Sequence, residues 1–194
     1  MVDWTQNISG LQACLASLSV CDDTGKALAP DLAFTHLRTA TVDLKRNGKR
    51  VYLIGNGASA SMASHTATDL SKNALVQAEV FTDLAILTAL ANDLCYEEVF
   101  AEPLRWRLKP GDMLVAISSS GKSPNILQAA RVAASQGGLV VTLSAMSPHN
   151  PLRTLGSLNF YVQANTYGLA ETCHAAILHY WVDQMVESRM ADSA

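Results

Sequence analysis

Charge is scarce in this sequence. Its 14 lysines and arginines and 17 aspartates and glutamates make up 16% of 194 residues, against roughly 25% in ordinary soluble domains. The net charge of -3 leaves no basic surplus to neutralise a phosphate backbone or an anionic lipid surface, so neither nucleic acid nor a membrane surface is an expected partner. No apolar run approaches the roughly 18 residues that span a bilayer, and the opening MVDWTQNISG lacks the basic-then-apolar order of a secretory signal. A CxxC pair is missing too. Cys14, Cys21, Cys95 and Cys173 are scattered and read as reduced thiols, which makes a cytoplasmic protein the expectation.

What the chain does have is apolar residues, 49% of the total. That is enough to bury the core of one domain, expected over 1–194, without disulfide or metal support. With so little charge, either the surface is unusually neutral or much of it is covered by other copies of the chain.

Apolar residues at helical spacing (Leu11, Leu15, Leu18; Leu32, Phe34, Leu37, Val42, Leu44) predict two N-terminal helices within 3–46, over 3–20 and about 30–46. The polar turn Cys21-Asp-Asp-Thr-Gly25 divides them. Over 50–190 the pattern changes. Short apolar runs at 51–54, 79–82, 113–118, 139–144 and 158–163 predict five strands, separated by helical segments at 59–72, 84–91, 96–108, 124–136, 151–156 and 168–189. Such alternation is the signature of an α/β three-layer sandwich, a mostly parallel sheet with helices on both faces. Ligands of such sheets sit beyond the carboxyl ends of the strands, which directs attention to the segments after 54 and after 118.

The first segment, Gly55-Asn56-Gly57-Ala58-Ser59-Ala60-Ser61, leads from a strand into a helix. Glycines let backbone approach a ligand, and the helix start offers unpaired N–H groups. Many strand-to-helix turns share this composition without binding anything, and the spacing fits neither a Walker loop nor GxGxxG. The second segment, Ser118-Ser119-Ser120-Gly121-Lys122-Ser123-Pro124-Asn125, is more specific. Four hydroxyls, a glycine for a tight nest and a proline at the first helical position make a largely neutral anion cradle. Such a cradle suits a phosphate held reversibly.

Two further groups carry titratable side chains. His65 and Asp69 stand i, i+4 on the helix after the first loop, on one face. The final helix carries Glu171, His174 and His179 among apolar neighbours, where a histidine is commonly a satisfied core residue. An imidazole beside a carboxylate can bind a metal, share acid-base work or simply form a hydrogen bond.

Taken together, Gly55-Asn-Gly-Ala-Ser59, His65 with Asp69, Leu90-Ala-Asn92-Asp93, Gly111-Asp112, the serine loop, and Glu171 with His174 and His179 resemble the sugar isomerase (SIS) domain family, and within it the phosphoheptose isomerases. The resemblance implies a flavodoxin-like doubly wound sheet preceded by the helical pair, and aldose–ketose isomerisation of sedoheptulose 7-phosphate through an enediol. It implies substrate contacts from Asn56, Gly57, Ala58, Ser59, Asn92, Asp93, Ser118, Ser119, Ser120, Ser123 and Glu171, with Asp69 and His179 as the acid-base pair. Zinc is implied at His65, Asp69, Glu171 and His179, and the assembly implied is a homotetramer with sites shared between subunits. The chain departs from the family at four places: Asp69 for Glu, Glu171 for Gln, Asn73 for Arg, and Gly168-Leu169 for Asp-Arg. The competing reading is a non-catalytic SIS protein, a phosphosugar sensor or adaptor resembling the replication-initiator-associating proteins. Retention of a carboxylate at 69 and a histidine at 179 favours the enzyme.

Overall fold

A computed structural model describes residues 3–191, so the domain expected over 1–194 runs past the described residues at both ends. In chain order the elements are α1 (Trp4–Ala16), β1 (Ser19–Asp22), β2 (Ala27–Leu28), α2 (Pro30–Arg46), β3 (Val51–Gly55), α3 (Ala58–Lys72), β4 (Ala78–Val80), α4 (Leu84–Asp93), α5 (Glu98–Arg107), β5 (Met113–Ser118), α6 (Pro124–Ser135), β6 (Leu139–Ser144), a 3-10 turn (Pro151–Thr154), β7 (Leu158–Tyr161) and α7 (Tyr167–Ala191).

All the strands join one sheet in the order β2-β1-β7-β6-β5-β3-β4. From β4 to β7 every pairing is parallel. These five are the expected strands, and their order is that of a doubly wound sheet. The sheet has seven strands, however, not five. β1 pairs antiparallel with β7 from Ser19↔Tyr161 to Asp22↔Leu158, and β2 folds back on β1.

This hairpin also corrects the expected helical pair, because only one helix precedes the sheet. α1 stops at Ala16, with the Ser17 N–H bonded to Ala13 and Cys14 carbonyls. Leu18, which keeps the helical spacing, already lies beyond it. Within Cys21–Gly25 the first two residues still belong to β1 and the hairpin turns after them: one Asp22 carboxylate oxygen accepts from the Thr24 N–H, the Thr24 hydroxyl and the Lys26 N–H, a local closure that competes with helix.

Side chains alternate across the parallel strands and so feed two cores. Val51, Leu53, Val115, Ile117, Val141 and Leu143 face α2, α3 and α7. Tyr52, Ile54, Leu114, Ala116 and Val140 face α5 and α6. All six residues of β5 are buried, as expected of a central strand covered on both faces. Trp181 of α7 is buried and donates its indole N–H to Thr41 Oγ1 of α2 at 3.1 Å, which fixes the long last helix against the first core. Between β3 and β5 the chain departs in opposite directions, to β4 on one side and to β6 on the other, and the loops leaving these two strands part to leave a crevice.

Candidate active site

The crevice is built by close backbone approach. A side chain at Gly55 would put its Cβ 2.5 Å from the Ser59 carbonyl carbon, so glycine is what lets α3 begin directly at the strand end. The two loops are then pinned to each other. Asn56 and Asn125 exchange amide hydrogen bonds of 3.0 and 2.9 Å, and the Tyr96 hydroxyl donates to Asn56 Oδ1 at 3.2 Å. Asn125 is buried, which strengthens such a pair against water.

The serine loop turns at Gly121, whose φ is +63° and where a Cβ would stand 1.9 Å from Asn150 Oδ1. Asn150 is itself buried and donates to the Ser147 carbonyl at 2.8 Å and Ser144 Oγ at 3.1 Å. The Ala145 N–H bonds the Ser119 carbonyl and the Leu152 N–H bonds the Gly121 carbonyl. Held this way, Ser118 and Ser123 bring their hydroxyls to 3.3 Å. Ser123 is the N-cap of α6, yet its side chain makes no capping bond. Its hydroxyl meets only Ser118, the Ile126 N–H is already taken by Asn125 Oδ1, and the remaining hydroxyl capacity of the loop can face a ligand at the helix start.

Asn56, Ser59, Ile117, Ser118, Ser119, Ser120, Ser123, Tyr167 and Glu171 line a cavity of about 160 Å³. That is below the roughly 300 Å³ at which small-molecule sites begin, and it fits one phosphate group rather than a whole sugar. No Lys or Arg is in the lining. Glu171, the one charged member, would repel a phosphate and suits hydroxyls next to it instead. Gly57 and Ala58 begin α3 at the mouth and do not line the cavity. Asn92 and Asp93 end α4, exposed, with the Asn92 amide bonded to Asp93 Oδ1 at 2.8 Å. They too lie outside the lining, so one chain alone draws an open site.

Further along α3 and α7 a second cluster forms. His65 Nε2 lies 3.2 Å from Asp69 Oδ2, and the His65 and His179 rings meet edge-on with centroids 5.3 Å apart. Small residues on the facing helices, Ala63, Ala67 and Ala170, are buried in the shared core and permit this approach. Asp69 Oδ1 also accepts from Asn73 Nδ2 at 3.3 Å. One ligand atom from each of His65, Asp69 and His179 lies within 4.8 Å of the others, so this trio has the donor types and the open side of a three-ligand catalytic zinc site. Glu171 is not in that cluster. It precedes His179 by eight residues of a continuous helix, roughly 12 Å along the axis.

His174, next to Cys173 in the chain, is fully buried and neither ring nitrogen makes a hydrogen bond. Burial pushes its pKa down to about 4, against a weak opposing pull from the Ser144 backbone. It is a neutral core residue. Sequence reasoning missed Asn125, Asn150, Tyr96 and Tyr167. Asn125 stands in the serine segment itself, beside Pro124, and was the most findable; the other three are brought in by distant segments.

A switch-point crevice with a neutral anion cradle defines a class, a doubly wound domain suited to a small phosphorylated ligand. A family model described as the SIS domain matches residues 31–145, and the chain belongs to the SIS domain family. Within that family it is similar to the phosphoheptose isomerases. The phosphoheptose isomerase of Paramagnetospirillum magneticum is 34% identical over 158 residues, which cover 78% of this chain and 82% of that protein. The solved phosphoheptose isomerase of Neisseria gonorrhoeae superposes with a TM-score of 0.73 at 25% identity, covering 79% of this chain and 86% of that one. That of Francisella tularensis gives 0.78 at 23% identity over 94% and 95%.

Proposed function

We propose that this protein is a phosphoheptose isomerase, interconverting sedoheptulose 7-phosphate and D-glycero-D-manno-heptose 7-phosphate. The observation that carries the reading is the placement along the packed helices α3 and α7 of a neutral serine cradle beside Ser59 and Glu171 and, about two turns further on, of the His65–Asp69–His179 cluster. Ser59 and His65 are six residues apart on α3, roughly 9 Å of rise, a separation suited to an extended sugar phosphate. Similarity to proteins named phosphoheptose isomerase supports the choice of sugar.

The cradle of Ser118, Ser119, Ser120 and Ser123 holds the phosphate, and Glu171, Asn92 and Asp93 bind hydroxyls. Isomerisation removes a proton from C1 of the ketose, forms a cis-enediol, and returns a proton to C2. Asp69 carries that proton between the carbons. His65 Nε2 faces one carboxylate oxygen and Asn73 the other, which fixes the carboxylate plane. His179, on the facing helix, protonates and deprotonates the sugar oxygens. His65, Asp69 and His179 also form the zinc site of this proposal, and zinc when bound would polarise the same oxygens. Asn92 and Asp93, outside the cavity of one chain, are brought to it by assembly into a homotetramer. The four free thiols support a cytoplasmic location.

The test is incubation of zinc-loaded protein with sedoheptulose 7-phosphate. Formation of the aldoheptose phosphate is expected, with loss of about 10²- to 10⁴-fold in turnover for His179→Ala. Full activity of that variant would return His179 to an ordinary surface histidine.

A further inference from the structure

We propose that Tyr96 is a positioning residue of the phosphate cradle, whose hydroxyl holds the Asn56 amide so that Asn56 offers a bound phosphate an N–H rather than a carbonyl oxygen. The orientation begins at Asn125, which is buried. The Ile126 backbone N–H stands 3.0 Å from Asn125 Oδ1 and can only donate, so that atom is the oxygen of the amide. Asn125 Nδ2 then donates to Asn56 Oδ1 at 2.9 Å, and Asn56 Nδ2 donates back to Asn125 Oδ1 at 3.0 Å. The Tyr96 hydroxyl supplies Asn56 Oδ1 with a second donor at 3.2 Å. Both lone pairs of that oxygen are occupied, whereas Nδ2 has used one of its two N–H groups.

Among the described residues nothing accepts the second Asn56 N–H. Asn56 lines the cavity of about 160 Å³ together with Ser59, Ser118 and Ser123, so this is the donor it has left for an anion there. A neutral N–H matters in a cavity whose lining holds no Lys or Arg, and a carbonyl oxygen in its place would repel phosphate. Tyr96 itself stands in the connection between α4 and α5, three residues beyond Asp93, and is 60% exposed. Its side chain is not part of the cavity wall, so its effect on a ligand passes through Asn56. The same bond ties the segment that carries Asn92 and Asp93 to the loop after β3. This inference rests on the phosphate-holding part of the proposed function, and not on the sugar or the reaction.

The test is a double-mutant cycle on the full-length protein. Affinities for inorganic phosphate and for a six-carbon polyol phosphate, which cannot isomerise, are measured by calorimetry for the wild type, Tyr96→Phe, Asn56→Ala and the double variant, with melting curves confirming that each is folded. Tyr96→Phe should weaken both ligands about threefold to tenfold, the worth of one hydrogen bond, and Asn56→Ala at least as much. In the Asn56→Ala background Tyr96→Phe should add nothing, because the hydroxyl acts only through that amide. Unchanged affinity in Tyr96→Phe, or losses that add in the double variant, would overturn the proposal. A wild-type protein that binds neither ligand would overturn it together with the cradle. Coupled losses in a protein that never isomerises a heptose phosphate would uphold it and sink the isomerase reading alone.

Discussion

Asp69 illustrates how much of the proposed chemistry rests on single side chains. Its carboxylate is held from both sides, by His65 and by Asn73, so Asp69→Asn should keep the side chain in place while removing the base and one ligand of the proposed zinc site. Turnover should fall about 10²- to 10⁴-fold with sugar phosphate affinity little changed, read by comparing kcat with an equilibrium binding titration. Glu171 separates the two roles that the resemblance gave it. If zinc sits on His65, Asp69 and His179, Glu171→Gln should leave metal content unchanged and raise KM, whereas His65→Ala should lower metal content, both measured by elemental analysis. His174 makes a different prediction. Its folded pKa of about 4 lies below the ordinary 6.5, so the unfolded chain takes up a proton first as pH falls. Stability should drop between pH 6.5 and 4, by up to about 3 kcal/mol from this group, and His174→Gln should flatten that limb of a melting-temperature profile. The i, i+4 spacing of His65 and Asp69 was legible in the sequence. The burial of His174 was legible only as one reading among several, since its apolar neighbours allow both a site and a core.

At the scale of elements, the serine loop is the part most directly written in the chain. Ser123 makes no capping bond, so Ser123→Ala should cost the helix little and should weaken phosphosugar binding, measurable by calorimetry beside an unchanged melting temperature. Gly121 behaves oppositely. Any side chain there meets Asn150 and a positive φ, so Gly121→Ala should lower both binding and stability, the latter by about 1–3 kcal/mol. The five parallel strands were readable because strands buried on both faces are short continuous apolar runs. The β1–β2 hairpin was not. Ser19–Asp22 is too short to show a period, and Leu11, Leu15 and Leu18 keep helical spacing across the true end of α1. Its register is set by β7, a partner far along the chain, and nothing local announces it.

For the molecule as a whole, low charge finds a physical counterpart in apolar surface. Trp4, Ile8 and Leu15 of α1 are exposed and share one helical face. A homotetramer would cover such surface, and light scattering at micromolar concentration should report four copies, with Ile8→Glu shifting the distribution to smaller species. The central claim is that Asp69 and His179, on α3 and α7, move a proton between C1 and C2 of a heptose phosphate. The most direct measurement follows a panel of five- to seven-carbon ketose phosphates by NMR in deuterium oxide with zinc-loaded protein. The account predicts conversion of sedoheptulose 7-phosphate in preference to the shorter sugars, with solvent deuterium entering at C2 of the aldose and with Asp69→Asn slowing both signals in step. Binding of sedoheptulose 7-phosphate without conversion or deuterium uptake would contradict it.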